Sequence, residues 1–493
     1  MSNQTIEQIT EPLPKEQQIS QLHFARSHTT DDYITEADLL ARINSSPFGE
    51  TTKDWAQRSA QVESLGNVGW GLFSTPPIIQ RAEGSLLYDT DDKEYIDLIS
   101  GFSVSGFGNN YQPITEAICK QAQTLTHFFD FPHPKRIHLA ERLAKLSGID
   151  GKARVLFGTT GSDAIESAVK AARHYTGKPY VLVAKGDYHG ATSGTIALTS
   201  RKGMNANYFP GSSDAYVGFF GFPHEYRAGL KNFGGFGLES IDELEHSLKG
   251  TFSPYADGNG NLVAAILVEP FQSSSGYYIP PRSYLKNLRR ICDEHNILLI
   301  LDEVQTGLGR TGKIWGFEHS EVRPDIIAVS KTLGGGLPLS AVIASAQIFE
   351  AWNPTAHINT QAGNAIACAA AHVVLDTLTA PGFLDDVNRR GDRFVSGLQK
   401  IAAKHPSLGY IDHTGIYIGL EFVLDPVLKT PAPDLVSEIR ASALSDGLFL
   451  DHGGYYGNRI PLIPALNMPN EIIDRALFKL EKHIGLAEEK FGI

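Results

Sequence analysis

The chain has 493 residues, of which 42% are hydrophobic, so it is long enough for about two or three domains with cores of their own. Its 43 lysines and arginines against 55 aspartates and glutamates give a formal net charge of -12, which argues against a general affinity for nucleic acids or anionic membranes. The three cysteines, Cys119, Cys292 and Cys368, lie far apart without a C-x-x-C pair, and therefore predict neither a disulfide framework nor a zinc site.

The amino-terminal sequence does not resemble a targeting segment. MSNQTIEQITEPLPKEQQ lacks the basic and then apolar order of a secretory signal. Apolar runs such as LVAAILV are much shorter than the roughly 20 residues that a membrane helix needs. We therefore expect a cytoplasmic protein with small-molecule partners, no membrane or nucleic-acid partner, and no bound metal.

Three regions with different composition and hydrophobic pattern follow one another along the chain. Residues 1–70 are polar and mix acidic with basic residues, which predicts an extension that packs on a folded body. From about residue 150, amphipathic helices alternate with runs that are apolar on both faces, namely RVLFG, YVLVA, LVAAILV, ILLIL and DIIAV. This alternation predicts α/β architecture with a parallel sheet covered on both sides. After about residue 375, GIYIGLEFV, a helix, GLFLD and a last helix opening at Pro469 predict a smaller α+β domain.

A G-x-G-x-x-G pattern follows the run ILLIL, at Gly307, Gly309 and Gly312. A dinucleotide-binding loop needs its first glycine directly after the strand, a helix opening at the last glycine, and an acidic residue about 20 positions later. Here the strand ends before the glycines, KIWGFEHS follows them, and the acid position falls in SKTLGG. A dinucleotide-dependent oxidoreductase is therefore kept only as the alternative from another enzyme class.

The ends of two apolar runs carry a carboxylate and an amine. Asp302 ends ILLILD and Lys331 follows DIIAVS, so both side chains are expected at the carboxyl edge of the sheet, where α/β proteins bind ligands. Alone, the two fit a structural ion pair. A strand-to-helix junction at Thr160, Gly161 and Ser162 offers backbone N–H groups and a positive helix end to an anion. Together, a phosphate site, a carboxylate for a cation and a lysine meet the three requirements of pyridoxal phosphate.

A set of motifs in one order and spacing gives the sequence a family resemblance. They are GTTGSDAIESAVKAAR, DYHGAT, LVEP, LDEVQTGLGRTG, SKTLGGGLPLSAV and NTQAGNAIACAAA. From about Leu86 to the last helix, the chain resembles the class III aminotransferases of the fold type I pyridoxal phosphate enzymes. The resemblance implies a large α/β domain with a mostly parallel sheet between helices, residues 116–375. A smaller α+β domain would combine residues 71–115 and 376–493, and the extension 1–70 would precede both.

The resemblance also implies roles for single residues. Lys331 would bind the cofactor aldehyde as a Schiff base and later move the proton of the substrate carbon, while Asp302 would keep the pyridine nitrogen protonated. The other implied cofactor residues are Gly161 and Ser162 at the phosphate, Tyr188 and His189 beside the ring, Val304 beneath it, Gln305 at the ring hydroxyl, and Glu269 around them.

Four further expectations concern residues near these motifs. Thr360, in NTQAGN, matches the threonine that reaches the phosphate of the neighbouring subunit, which implies a homodimer with shared active sites. Alternatively, Tyr188 and His189 would only pack in the core, and Glu269 would only be a carboxylate in a loop. The glycines after Asp302 would form a flexible turn, with Arg310 structural.

Two positions depart from the family members that use glutamate as amino donor. EPFQSSSG places Ser274 where those members have a second glutamate, and NRIPLIPAL places Pro461 where they have the arginine that pairs with it. Losing both partners is tolerable, whereas losing one would leave an unpaired buried charge. Arg459, on the same strand face as Pro461, would either anchor a substrate carboxylate or be a solvated arginine. Ser274 and Arg459 are therefore the candidate substrate-binding residues.

These observations predict a pyridoxal phosphate-dependent aminotransferase that moves an amino group from an amino acid or amine donor to a 2-oxo acid. Alternatives on the same scaffold are an amino acid racemase or epimerase and a dialkylglycine-type decarboxylase. The serine-rich turn and SKTLGGGLPLSAV also resemble dialkylglycine decarboxylase and the aminocaprolactam or amino acid racemases, while the region around DYHG resembles diaminobutyrate aminotransferases. A catalytically silent homologue is disfavoured because Lys331 and Asp302 are both present. The donor, the acceptor and the role of residues 1–70 stay open.

Overall fold

The chain divides into two compact units, Met1–Pro77 and Ile78–Ile493. The computed structural model describes residues 36–64, 75–149, 151–200, 215–228, 239–249, 253–257 and 260–493. Residues 1–35 and 65–70 of the predicted extension lie outside these ranges, so its proposed packing stays a prediction.

In the first unit, the described residues form two helices, α1 (Glu36–Ser45) and α2 (Glu50–Val62), which contact each other. Leu39 and Ile43 of α1 and Ala56 of α2 are buried. The polar composition of this region did not indicate these helices.

The second unit alternates strands and helices along most of its length. Its strands are β1 (Ile79–Glu83), β2 (Leu86–Asp89), β3 (Glu94–Asp97), β4 (Ala153–Gly158), β5 (Tyr180–Ala184), β6 (Val217–Phe220), β7 (Ala256–Asp257), β8 (Gly260–Asn261), β9 (Val263–Val268), β10 (Leu298–Asp302), β11 (Ile326–Val329), β12 (Ser340–Ser345), β13 (Leu408–Thr414), β14 (Tyr417–Phe422), β15 (Leu448–Phe449) and β16 (Arg459–Leu462). Its α-helices of five residues or more are α3 (Gln112–Ala122), α4 (Pro134–Leu146), α5 (Gly161–Thr176), α6 (Glu239–Lys249), α7 (Ser283–His295), α8 (Ala346–Glu350), α9 (Ala365–Thr379), α10 (Phe383–Ala402), α11 (Pro433–Ser445) and α12 (Asn470–Phe491).

A seven-stranded sheet in the order β4-β12-β11-β10-β9-β5-β6 forms the centre of this unit. Its neighbours run parallel except around β12, which is antiparallel to both β11 and β4. Side chains alternate along β10: Ile300 packs in one core with Ile165 of α5, and Leu299 and Leu301 pack in the other with Leu288 of α7. Helices on both faces explain why the central strands are apolar throughout, and the predicted α/β fold is confirmed.

Two smaller sheets complete the unit. β1, β2, β3 and β15 form one, in which Leu448 pairs with Ile96, so segments from both ends of the unit share a sheet. β13, β14 and β16 form an antiparallel one. Helix α12 packs on α10 and α11 and buries Ile473 and Leu480. Residues 78–493 form one compact unit, and their division into a large domain and a smaller α+β domain stays a prediction.

Within the described ranges, no single helix is long and apolar enough to cross a membrane. α9 and α10, bent by 74° relative to each other, reach that length and composition only as a pair.

The glycine-rich segment after β10 is buried and closely packed. Gly309 and Gly312 have left-handed φ angles of 88° and 80°, and the N–H of Gly312 donates to the carbonyl of Gly309 at 3.0 Å. Asn388 of α10 donates its Nδ2–H to the carbonyl of Gly312 at 3.2 Å. A β-carbon on Gly415, in the β13–β14 turn, would lie 2.4 Å from the nitrogen of Gly312. This packing contradicts the expected flexible turn and gives the glycines a steric role.

The same packing predicts an unusual response of a helix to alanine. Gly391 lies inside α10, where an added β-carbon would be 2.0 Å from the carbonyl oxygen of Gly415. Alanine gains about 1 kcal/mol of helix propensity over glycine, but the clash with backbone should outweigh that gain. We expect Gly391→Ala to lower the free energy of unfolding by about 1–3 kcal/mol in urea denaturation.

Gly485 of α12 provides the matched control for this substitution. A β-carbon at Gly485 would meet only the ring of His405, at 3.3 Å. Gly485→Ala should therefore be neutral or stabilising. Equal destabilisation of the two variants would contradict the steric explanation.

Candidate active site

A cavity of about 180 Å³ lies where the strands of the central sheet end. Its walls come from the loops that follow β4, β5, β9, β10 and β11. The lining residues are Thr160, Gly161, Ser162, Tyr188, His189, Gly190, Glu269, Ser273, Asp302, Val304, Gln305 and Lys331. The structure thus brings together every predicted cofactor residue except Thr360, because carboxyl ends of parallel strands meet at one edge.

Lys331 lies two residues beyond the end of β11, with a φ of 46°, a left-handed conformation that is costly for a residue with a side chain. Its Nζ contacts Oε1 of Gln305. Burial lowers the pKa of Lys331 to about 8, although the charges of Glu269 and Asp302 oppose the shift. About a tenth of the amine is therefore uncharged at pH 7, and about half at pH 8, which supplies the uncharged form that a nucleophile requires.

Asp302, the last residue of β10, presents a buried carboxylate to the cavity. Its Oδ1 accepts the backbone N–H of Val304 at 3.0 Å, and its Oδ2 accepts the Nδ1–H of His189 at 2.8 Å. His189 is 2% exposed, so it is a member of the site as well as of the core. A cation bound in the cavity would find its counter-charge at Asp302.

Glu269 joins two loops of the cavity wall. Its Oε1 accepts the backbone N–H of Tyr188 at 2.8 Å, and its Oε2 accepts the backbone N–H of Ser273 at 2.9 Å. Burial raises the pKa of Glu269 to about 8, and the charges of Asp187 and Asp302 raise it too. Glu269 is thus a buried carboxylate of the site, on the loop that follows β9.

The start of α5 forms a cradle at one end of the cavity. Thr160 caps the helix, and the N–H groups of its first turn have no partner within the helix. A β-carbon on Gly161 would lie 3.0 Å from Cγ1 of Val304. A β-carbon on Gly190 would lie 2.1 Å from Oγ of Ser162. Only glycine leaves room at these positions, and the open N–H groups suit an anion.

A left-handed turn at Ser100–Ser103 supports the far side of Gln305. Its four φ angles are 42°, 58°, 57° and 67°, although only one of the residues is glycine. The hydroxyl of Thr332 donates to the carbonyl of Ser103 at 2.7 Å, and Nε2–H of Gln305 donates to Oγ of Ser103 at 2.8 Å. The turn therefore positions the amide that contacts Lys331.

Three predicted site residues, Thr360, Ser274 and Arg459, do not line the cavity of their own chain. Thr360 is exposed, next to Asn359, whose Nδ2–H donates to Oδ2 of Asp163 near the start of α5. Its role toward a second subunit stays a prediction. Ser274 is half-buried, and its neighbour Ser273 lines the cavity instead.

Arg459 is fully buried in β16, so the alternative of a solvated arginine is wrong. Its Nη1–H donates to Glu421 at 2.9 Å and its Nη2–H donates to Asp412 at 2.7 Å. Its guanidinium also lies 4.1 Å from the ring centre of Tyr278, and Arg227 makes a second ion pair with Glu421. Because two carboxylates already compensate its charge, the expected role of Arg459 as a substrate anchor is not supported.

Sequence reasoning missed four residues that shape the site: Ser103, Asp187, Gly190 and Ser273. Gly190 has a φ of 129°, and its position directly after the aromatic–histidine pair was the available signal. Ser273 lies in the serine-rich turn that drew attention to its neighbour. Ser103 lies outside the motifs, and Asp187, the first residue of DYHGAT, has no feature there that indicates its role, because both roles arise from contacts with residues distant in sequence.

The groups in the cavity fit pyridoxal phosphate. The N–H groups of Gly161 and Ser162 suit its phosphate, the carboxylate of Asp302 suits a protonated pyridine nitrogen, and the amine of Lys331 suits its aldehyde. Throughout the described ranges, no group of three or more histidine, cysteine, aspartate or glutamate side chains could hold a metal ion.

Residues 73–484 match the family model described as Aminotransferase class-III. The chain is 34% identical to a leucine/methionine racemase from Thermococcus litoralis, over 84% of this chain and 92% of that protein. It is 35% identical to a 5-aminovalerate aminotransferase from Pseudomonas aeruginosa, over 82% and 92% of the two chains. A solved aminotransferase from Bacillus anthracis superposes with a TM-score of 0.80 at 28% identity, over 89% and 99% of the two chains.

The family match spans most of the chain, and the cavity holds the groups that this family's cofactor needs. The solved aminotransferase has the same fold over 89% of this chain. The chain therefore belongs to the class III aminotransferase family and is an aminotransferase that depends on pyridoxal phosphate.

Proposed function

We propose that Lys331 binds the cofactor covalently and that Asp302 pairs with its ring nitrogen, while an amino group passes from an amino acid or amine to a 2-oxo acid. The observation that carries the proposal is the placement of these oppositely charged side chains in one buried cavity, beyond two adjacent parallel strands. When bound, pyridoxal phosphate supplies an aldehyde that takes the amino group and a ring that takes up electron density from the substrate carbon.

The residues of the chain divide the remaining work. The amine of Lys331, in contact with Gln305, would bind the aldehyde; when a substrate amine has released it, its Nζ would carry the proton from the substrate carbon to the cofactor carbon that bears the nitrogen. Asp302 keeps a negative charge beside the ring nitrogen. The N–H groups of Gly161 and Ser162 hold the phosphate, and burial of the cavity excludes water.

Replacing Lys331 or Asp302 should distinguish binding of the cofactor from turnover. Lys331→Ala should abolish turnover, and borohydride should no longer fix the cofactor to the chain. Asp302→Asn should keep the fold and the bound cofactor but lower kcat at least about a hundredfold, or about 2.7 kcal/mol, because the ring nitrogen loses its counter-charge. Steady-state kinetics, the visible spectrum and thermal melting measure these effects.

Asp325, which precedes β11, is the control for Asp302. Its Oδ2 accepts the backbone N–H of Leu299 at 2.7 Å and an Nη1–H of Arg289 at 2.8 Å, away from the cavity. Asp325→Asn should therefore lower the melting temperature with little change in kcat. An Asp302→Asn enzyme that turns over at the normal rate would overturn the proposed pairing.

We further propose that the protein is a homodimer in which Thr360 completes the phosphate site of the partner subunit. In support, Thr360 is exposed and absent from the cavity of its own chain. An aromatic cluster is exposed as well, with Phe128 at 66% and Phe131 at 56%, and their rings lie 5.5 Å apart. Exposed apolar clusters of this kind mark interaction surfaces.

Mixing two inactive variants tests the shared site. In a hybrid of one Lys331→Ala subunit and one Thr360→Ala subunit, one site has both changes and the other has neither. Random exchange makes half of the dimers hybrid, so mixing should restore about one quarter of the wild-type activity at limiting cofactor. Activity that stays at the average of the two separate variants would contradict the shared site.

Racemisation is the second candidate reaction, because one relative at 34% identity is named a leucine/methionine racemase. Incubation with single enantiomers, with and without an added 2-oxo acid, distinguishes the two. We expect amino transfer that depends on the 2-oxo acid, with no loss of optical purity when the 2-oxo acid is omitted. Chiral chromatography measures the enantiomers. If it shows racemisation without any 2-oxo acid, the protein is a racemase and the proposed amino transfer is wrong.

A further inference from the structure

Asp187, in the turn after β5, is a fully buried carboxylate that the proposed reaction does not use. Its Oδ2 accepts the backbone N–H of Glu269 at 3.0 Å, and its Oδ1 accepts the Nε2–H of Gln272 at 2.7 Å. The same Oδ2 lies 3.7 Å from Nε2 of His189. The carboxylate is thus held in place next to an imidazole.

His189 lies between two carboxylates. Its Nδ1–H donates to Asp302 at 2.8 Å, while its buried Nε2 faces Asp187 and makes no hydrogen bond to a described residue. A neutral imidazole has one N–H, whereas an imidazolium has an N–H at both nitrogens. A carboxylate at each nitrogen therefore favours the imidazolium.

The titratable groups that face His189 come from three elements: Asp302 ends β10, Asp187 follows β5, and Glu269 follows β9. Burial alone lowers the pKa of His189, but the hydrogen bond and charge of Asp302, with the charges of Asp187 and Glu269, outweigh burial and raise it. Burial raises the pKa of Asp187 to about 7, and the positive charge of His189 is the main opposing influence. Each of the two thus favours the charged form of the other.

We infer that Asp187 is a positioning residue: its carboxylate holds His189 as an imidazolium, which in turn keeps Asp302 anionic and oriented toward the ring nitrogen of the cofactor. The inference rests on the proposed role of Asp302. Three buried side chains form this series, and it links two strands, β5 and β10, that are separated in the sheet by β9. Without the outer carboxylate, Asp302 would contact a neutral imidazole.

The experiment uses the full-length protein loaded with pyridoxal phosphate and measures the pH midpoint of its visible absorption band. Asp187→Asn keeps the size of the side chain and removes its charge. His189 would then lose its proton, and because His189 is nearer to the ring site than Asp187, the local potential should become more negative. We expect the midpoint to move to higher pH by about one unit.

Two control variants separate this electrostatic role from a structural one. Ser275→Ala removes the hydroxyl that contacts the carbonyl of Gly186, the residue before Asp187, and leaves the carboxylate with both of its hydrogen bonds, so it should lower the melting temperature and leave the midpoint in place. Asp187→Glu keeps the charge and should also keep the midpoint, which provides a test if Asp187→Asn does not fold. A shifted midpoint in Asp187→Glu, or an unshifted one in folded Asp187→Asn, would overturn the inference.

A double-variant cycle shows whether Asp187 acts through His189. In a His189→Asn background, Asp187→Asn should move the midpoint by less than about a third of a unit. A shift to lower pH there, which is the direct effect of losing a negative charge, would mean that Asp187 acts on the cofactor without His189 and would overturn the inference. Asp302→Asn belongs in the same titration: if it leaves the midpoint unchanged, the proposed pairing fails and the inference with it. If only Asp302→Asn moves the midpoint, the inference alone fails.

Discussion

The parallel register between β10 and β11 places a carboxylate and an amine beyond neighbouring strand ends. Asp302 pairs with Ala328 in the sheet, and Lys331 lies two residues beyond Val329, the last residue of β11. Strands in a sheet are about 4.8 Å apart, so the two side chains reach one space of molecular width. Since both strands are buried on both faces, neither end can shift without disturbing the core, and the site exists before any ligand arrives.

Burying these groups creates an electrostatic imbalance. Three carboxylates, Asp187, Glu269 and Asp302, surround one imidazole and one amine. The raised pKa values of Asp187 and Glu269 show that the interior resists a full set of negative charges. A cationic ring beside Asp302 relieves this excess, so binding of the cofactor and stability of the fold are linked.

Sequence patterns located the parts of the site that depend on local order. Apolar runs marked the strands, and the residues at their ends, Asp302 and Lys331, followed from the rule that ligands bind at that edge. The family resemblance supplied Tyr188 and Gln305, whose roles no periodicity indicates. Both lie in the cavity.

The remaining features depend on contacts between residues that are distant in the sequence, and a single sequence does not allow such contacts to be predicted. The ion pairs of Arg459 join β16 to residues of β13 and β14. The turn at Ser100–Ser103 takes left-handed angles that residue propensities argue against, because hydrogen bonds from Gln305 and Thr332 hold it. The spacing of Gly307, Gly309 and Gly312 is visible in the sequence, but their packing against α10 is not.

The closed ion-pair network around Arg459 constrains how this scaffold can change by mutation. A glutamate at Ser274 alone would bring in a carboxylate, but Arg459 is already neutralised by Glu421 and Asp412, and Pro461 offers no cation. An arginine at Pro461 alone would in turn be a lone buried cation on a strand that packs against β14. Either substitution alone would therefore bring in a charge without a partner, so the two halves of that glutamate–arginine pair would have to be introduced together.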